Sequence, residues 1–199
     1  MKRIGLVILA GLAAAVFCHG IFPKPTVKQE GFNEKSVVEY FDDVHAALAT
    51  LEGQAIGFLG NEKATQRSPG LAFHYIQVLG RLRSTKAIKV LSDQLLYKQQ
   101  TAEIGKGVPP EKEYPACGAL IKIGLPAAKG LVERIVTKET SEEYRKMAFF
   151  VCREVVGDRK VPWLLDTLLE EDPSGRKSEF GRYRDKVGIL KKEYQKLSK

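Results

Sequence analysis

The stretch ALIKIGLPAAKGLVERI (119–135) sets Gly124 and Pro126 two residues apart inside an otherwise helical apolar pattern. No other feature constrains the chain as tightly. Glycine accepts the positive-φ conformation that closes a helix. Proline suits the first turn of the next helix, where its missing N–H is not needed. The pair predicts an elbow between two antiparallel helices. Pro162, after Gly157 and Asp158, predicts a second elbow of the same kind.

The pattern repeats. Gly80, Gly124 and Gly157 are each expected to close an apolar helix, preceded at one residue by Leu79, Ile123 and Val156. Seven residues before each glycine stand Phe73, Cys117 and Phe150. Four before stand Ile76, Leu120 and then Arg153, the one departure from apolar character. The helices after the glycines align as Ile88, Ala128, Val161; then Leu91, Leu131, Leu164; then Leu95, Ile135, Leu168; then Leu96, Val136, Leu169. That spacing, i, i+3, i+7, i+8, is a helical stripe facing a core. The columns are offset by 40 and 33 residues. The first unit has a longer internal turn, RLRST, and QQTAEIGKGVPPEK (99–112) separates it from the second. Units of this length bury a continuous core only by stacking on their neighbours.

The segments LGRLRSTKAIKVLSDQLL (79–96), KIGLPAAKGLVERIV (122–136) and VVGDRKVPWLLDTLLEE (155–171) resemble the HEAT-like repeat, in its short bacterial variety related to phycobilisome-lyase repeats. The resemblance covers roughly 70–171, half the chain. It implies an all-α, right-handed α-solenoid (an α-α superhelix) of helical hairpins. The second helices of such a stack make its concave face. Residues just off their core columns would point outward: Lys89, Lys129, Glu133, Arg134, Trp163 and Asp166. Trp163 is the sole tryptophan, and Trp and Arg are over-represented among residues that dominate interfaces. The competing role for Trp163 is packing into the next repeat. Some proteins of this type are iron hydroxylases, but the His-Glu pairs they use are absent here. The lyases attach bilins in the cytosol, a role unsuited to an exported chain.

Both flanks of the repeats also read as helix. SVVE (36–39) has capping-box spacing. Val37, Phe41, Val44, Leu48 and Leu51 follow at helical intervals, while Gly53, Gly57 and Gly60 predict that QAIGFLG is at best short and frayed. Residues 36–60 are thus a further unit or an N-terminal cap. In the tail, Phe180, Tyr183, Val187, Leu190, Tyr194 and Leu197 alternate by three and four, the spacing of a packing seam. A terminal helix covering the open end of the stack is expected, since the cores of repeats are otherwise exposed.

The first 20 residues carry MKR and then an apolar run, IGLVILAGLAAAVF (4–17), followed by CHG and a polar, proline-containing stretch. That is a secretory signal pattern with cleavage after Gly20; the alternatives are a membrane anchor over residues 4–22 and a lipidated Cys18, which Phe17 before it disfavours. Residues 21–35 read as an extended leader, 36–173 as the repeat domain and 174–199 as a basic helix. The expected location is periplasmic or secreted. The formal charge is +8, and residues 174–199 hold nine basic and three acidic side chains. Such a tail docks on an anionic membrane or polymer, or on an acidic partner; export makes nucleic acid the least favoured target.

Catalytic and metal-binding patterns are not found. Neither His45, beside Asp42, nor His74 has metal-ligand spacing. GKG (105–107) lacks the spacing of a phosphate loop. No cofactor is expected, and the chain reads as a non-enzymatic, protein-binding or scaffold module of the cell envelope. Its alternative role is peripheral attachment to a membrane or anionic polymer through the tail. Compartment and parity favour a bond between Cys117 and Cys152. Their differing positions in neighbouring helices favour two buried free thiols instead.

Overall fold

The computed structural model describes residues 34–98, 109–170 and 177–198. These residues are all-α, with ten α-helices: α1 (Glu34–Leu59), α2 (Glu62–Arg67), α3 (Pro69–Arg81), α4 (Ile88–Asp93), α5 (Pro110–Glu113), α6 (Pro115–Ile123), α7 (Leu125–Thr137), α8 (Glu142–Val156), α9 (Val161–Glu170) and α10 (Lys177–Leu197). Short 3-10 turns, Thr85–Ala87 and Asp158–Lys160, lead into α4 and α9. The chain divides into two units, residues 1–44 and 45–199. The signal segment, the leader, and the GKG of 105–107 lie outside the described residues.

The chain breaks between helices at both predicted positions; α6 and α7 are bent by 120° across theirs, short of the antiparallel reversal expected. Gly124 has φ 86° and ψ −143°, a mirror-extended geometry that only glycine enters readily, rather than the left-handed helical one. Its N–H donates to the Leu120 carbonyl at 3.1 Å and its own carbonyl accepts from Ala127 at 2.9 Å. Pro126 follows in the first turn of α7. Gly157 has φ 82° and ψ 151°, donates to the Arg153 carbonyl at 2.8 Å and accepts from Lys160 at 3.0 Å.

Gly80 does something else, which corrects the expectation that it closes a helix. It lies buried inside α3, which runs on to Arg81. The turn is closed by Arg83 at φ 51°. The Ser84 N–H reaches back to the Leu79 carbonyl at 3.1 Å and that of Arg83 to Gly80 at 3.3 Å. The four extra residues of the first unit make this closure possible. Gly80 serves packing: a Cβ placed there would stand 2.8 Å from the Ala119 Cα of α6. Gly130 of α7 likewise admits the Ile88 Cγ2, which would lie 2.8 Å from an added Cβ.

The first helices pack on one another, α6 against both α3 and α8, and the second helices do the same, α7 against both α4 and α9. The second-helix columns are core: Leu91, Leu131, Leu164, Leu95, Ile135, Ala128 and Val161 are fully buried. Each leucine so placed contributes about 1.5–3 kcal/mol over an exposed one. In α8 the glycine-based alignment slips by about one residue. Arg153 is exposed, while Ala148, Val151 and Cys152 are fully buried. The apolar stripe, not the distance to the glycine, sets which side faces in. Helix α10 packs on α9 and α7 and buries Val187, Leu190 and Tyr194. Of the rest of its predicted seam, Tyr183 is half-buried, Leu197 is exposed, and the side chain of Phe180 lies outside the described residues.

Helix α1 departs most from expectation. It begins two residues before Ser36, so Ser36 is inside the helix rather than at its cap, and it continues unbroken through Gly53 and Gly57. Burial of Ala55 and Leu59, with Ile56 and Phe58 packed against the core, outweighs the glycine penalty of about 1 kcal/mol each. Within the first unit, Val38, Tyr40 and Phe41 are exposed, and the two rings meet edge to face at 6.1 Å.

Two glycine classes should therefore separate on substitution to alanine. Nothing lies within 4 Å of a Cβ added at Gly53 or Gly57, so Gly53→Ala and Gly57→Ala should each stabilise by about 0.5–1 kcal/mol. Gly80→Ala drives a methyl into the Ala119 backbone and should cost about 1–3 kcal/mol. Urea unfolding of the three variants checks the opposite signs.

Candidate functional site

The outer surface of α4, α7 and α9 is the region to which the outward-facing sequence positions map. Lys89, on α4, is exposed. Lys129 on α7 is half-buried and Glu133 is exposed. Trp163 on α9 keeps 53% of its surface exposed. Its two neighbours in the core column, Val161 and Leu164, are fully buried. Position 163 falls off the stripe, so the ring projects from the layer rather than into it.

Arg134 and Asp166 occupy the same surface, but both are engaged within the fold. Arg134 pairs with Asp93 of α4 and its guanidinium lies 5.3 Å from the Tyr144 ring centroid. The Tyr144 hydroxyl donates to the Ser92 carbonyl at 3.1 Å. This cluster joins α4, α7 and α8. The Arg134 Nε is buried with no hydrogen-bond partner, so the bond to Asp93 is carried by Nη1. Asp166 holds the ammonium of Lys191 through both carboxylate oxygens, tying α9 to α10.

Two basic residues that the sequence reading did not single out also belong here. Arg159 and Lys160 are exposed on the 3-10 turn directly before α9. Arg159 stands four residues before Trp163 and Lys160 three, in the turn that leads into its helix. The signal was visible in GDRKVPW (157–163), where two cations immediately precede the tryptophan turn. The preceding residue, Asp158, is turned toward α10: its carboxylate and its carbonyl both accept from the Tyr194 hydroxyl. Burial raises the Tyr194 hydroxyl pKa above its usual range, and the bond to Asp158 adds to this.

Elsewhere, a cleft of about 450 Å³ lies between the α7–α8 turn and α10. It is bordered by Glu139, Asp185, Lys186 and Ile189 and by an internal ion pair, Arg145 with both oxygens of Glu193 at 2.9 Å. Lys186 is occupied with the Lys138 carbonyl at 2.8 Å. His45 and His74 are exposed, and the His74 ring lies 5.7 Å from that of Phe73. Among the described residues no group of three or more His, Cys, Asp or Glu could hold a metal ion. No single described helix is long and apolar enough to cross a membrane. The chain matches no protein-family model, no curated protein and no solved structure.

Among the described residues, Cys117 and Cys152 are buried and unpaired. They point into different interfaces: the Cys117 thiol toward the Leu95 carbonyl at 3.9 Å, and the Cys152 thiol toward the Ala128 carbonyl at 3.7 Å. Burial pushes both thiols up to about 12 from 9.0. Burial likewise raises the Tyr144 hydroxyl to about 12 from 10.0.

Two measurements follow from this burial. Both thiols should titrate without reductant only after denaturation; none titrating until a reductant is added would instead mean a disulfide. Stability should also fall at alkaline pH. Above pH 9 the unfolded chain loses thiol protons that the folded chain retains. The stabilisation from keeping these groups neutral is complete below pH 9 and is lost as pH rises toward 12. Thermal midpoints across that range check the sign.

Proposed function

We propose that this chain is a non-catalytic protein-interaction or scaffold module of the cell envelope, built as a right-handed stack of HEAT-like hairpins. The alternation of packing supports this reading of the architecture: α3, α6 and α8 contact in series, as do α4, α7 and α9. An array of that kind offers an extended surface on its second helices. One observation carries the functional reading: Trp163, the sole tryptophan, is 53% exposed on that surface. Exposing so large an apolar ring to water forgoes a substantial gain from burial, and a partner would recover it. Export rests on the apolar run of residues 4–17.

A specific observation favours a second reading, attachment to an anionic membrane or polymer. Ile189 of α10 is 64% exposed, and Lys192 and Lys196, three and seven residues on, are exposed along the same side. An apolar side chain beside two lysines suits a headgroup boundary, although the exposed Asp185, four residues before it, opposes this and one isoleucine supplies little apolar area.

A photo-crosslinking residue placed in turn at 89, 133 and 163, and at 74, 122 and 142 on the first helices, separates the two readings in cells making the full chain. Protein adducts should concentrate at the second-helix positions. Adducts spread evenly over both sets, or found at neither, overturn the module reading. Sedimentation with phosphatidylglycerol vesicles that is abolished by Lys192→Glu with Lys196→Glu would favour membrane attachment.

A further inference from the structure

We infer that the surface around Trp163 receives an acidic peptide segment bearing an apolar or aromatic anchor, an inference that rests on the chain being a protein-interaction module. The charges of this surface carry it. Two of its carboxylates are paired within the fold, Asp93 with Arg134 and Asp166 with Lys191, while Asp158 keeps its charge but is turned toward the Tyr194 hydroxyl. Lys89, Arg159 and Lys160 are exposed and have no ion-pair partner among the described residues. Glu133 on α7 is the exposed carboxylate opposing them. The α9 end of the surface is therefore cationic although its sequence is mixed in sign.

Chain position keeps two of these cations within four residues of the ring. Arg159 and Lys160 are exposed on the 3-10 turn that leads into α9. A guanidinium holds a carboxylate through two parallel hydrogen bonds, while the tryptophan face takes an apolar or aromatic side chain. A ligand satisfying both has an acidic group and a ring or branched chain a few residues apart, as in an acidic peptide. A bilayer fits less well. It needs basic and apolar residues distributed along a helix, the pattern α10 shows, rather than one ring beside two cations at a helix start.

Short random peptides displayed on phage and selected on the immobilised full chain test this. Peptides enriched on the wild type should be acidic with an aromatic or branched residue, and their enrichment should vanish on the Arg159→Glu, Lys160→Glu double variant. Both changes are at exposed, unpaired positions, and circular dichroism confirms that the variant is folded. Arg159→Gln with Lys160→Gln serves as the milder second variant. The best enriched peptide, made synthetically, should shift Trp163 emission to the blue, bind more weakly as salt rises and lose about tenfold in affinity on the Gln variant. Enrichment of neutral or basic peptides, enrichment indifferent to the variants, or none at all overturns the inference. So does a Trp163 shift produced by phosphatidylglycerol vesicles and by no peptide. Crosslinks at 163 without acidic enrichment would sink the inference alone; absence of both would sink the module reading as well.

Discussion

The close approach of α3 to α6 is the contact on which the remaining packing depends. Gly80 lacks the one carbon that would meet Ala119, itself a small, buried residue of α6. Small residues on both sides let the backbones come together. Helix α6 can then also pack against α8, so one nine-residue helix serves two interfaces. Its elbow at Gly124 fixes the start of α7, and α7 in turn supplies the surface that α4, α9 and α10 share. Close-packed interiors transmit a local mismatch to their neighbours. A disturbance at Gly80 is therefore one that α8 and α9 would feel.

Much of this was legible in the residues because burial leaves a periodic trace. The second-helix columns, Leu91-Leu131-Leu164 above all, are the most regular signal in the chain and also its deepest core. Gly124 and Gly157 could be read as elbows because positive φ restricts residue choice sharply. Gly80 could not be separated from them. A glycine that ends a helix and one that lets another helix approach look alike in sequence, and only the neighbour distinguishes them. In α8 the apolar stripe outranks the elbow spacing, so Arg153 falls on the water side. Gly53 and Gly57 misled for a related reason: propensity is local, while the core that holds α1 straight there is assembled from distant segments.

The candidate surface was less legible than the core. Lys89 and Trp163 are exposed as their off-column positions imply. Arg134 and Asp166, equally off-column, are drawn into pairs with Asp93 and Lys191, partners 41 and 25 residues away in the chain. Helical spacing says which side of a helix a residue occupies. It does not say whether a neighbouring helix brings an opposite charge to meet it. That is also why the unpaired charge on this surface is not evident from its sequence, and why Arg159 and Lys160 gain importance once the pairs are set aside.

The attachments of α10 have a consequence for how the chain comes apart. Around its buried Val187, Leu190 and Tyr194, this helix is held by Lys191 to Asp166, Glu193 to Arg145, Tyr194 to Asp158 and Lys186 to the Lys138 carbonyl. Ion pairs at a partly exposed rim weaken with ionic strength, whereas the leucine columns beneath do not. Release of α10 would uncover the parts of α9 and α7 on which it packs. The same event would free Asp166, changing the charge beside Trp163. Helix α10 thus couples the integrity of the fold to the electrostatic character of the surface around Trp163.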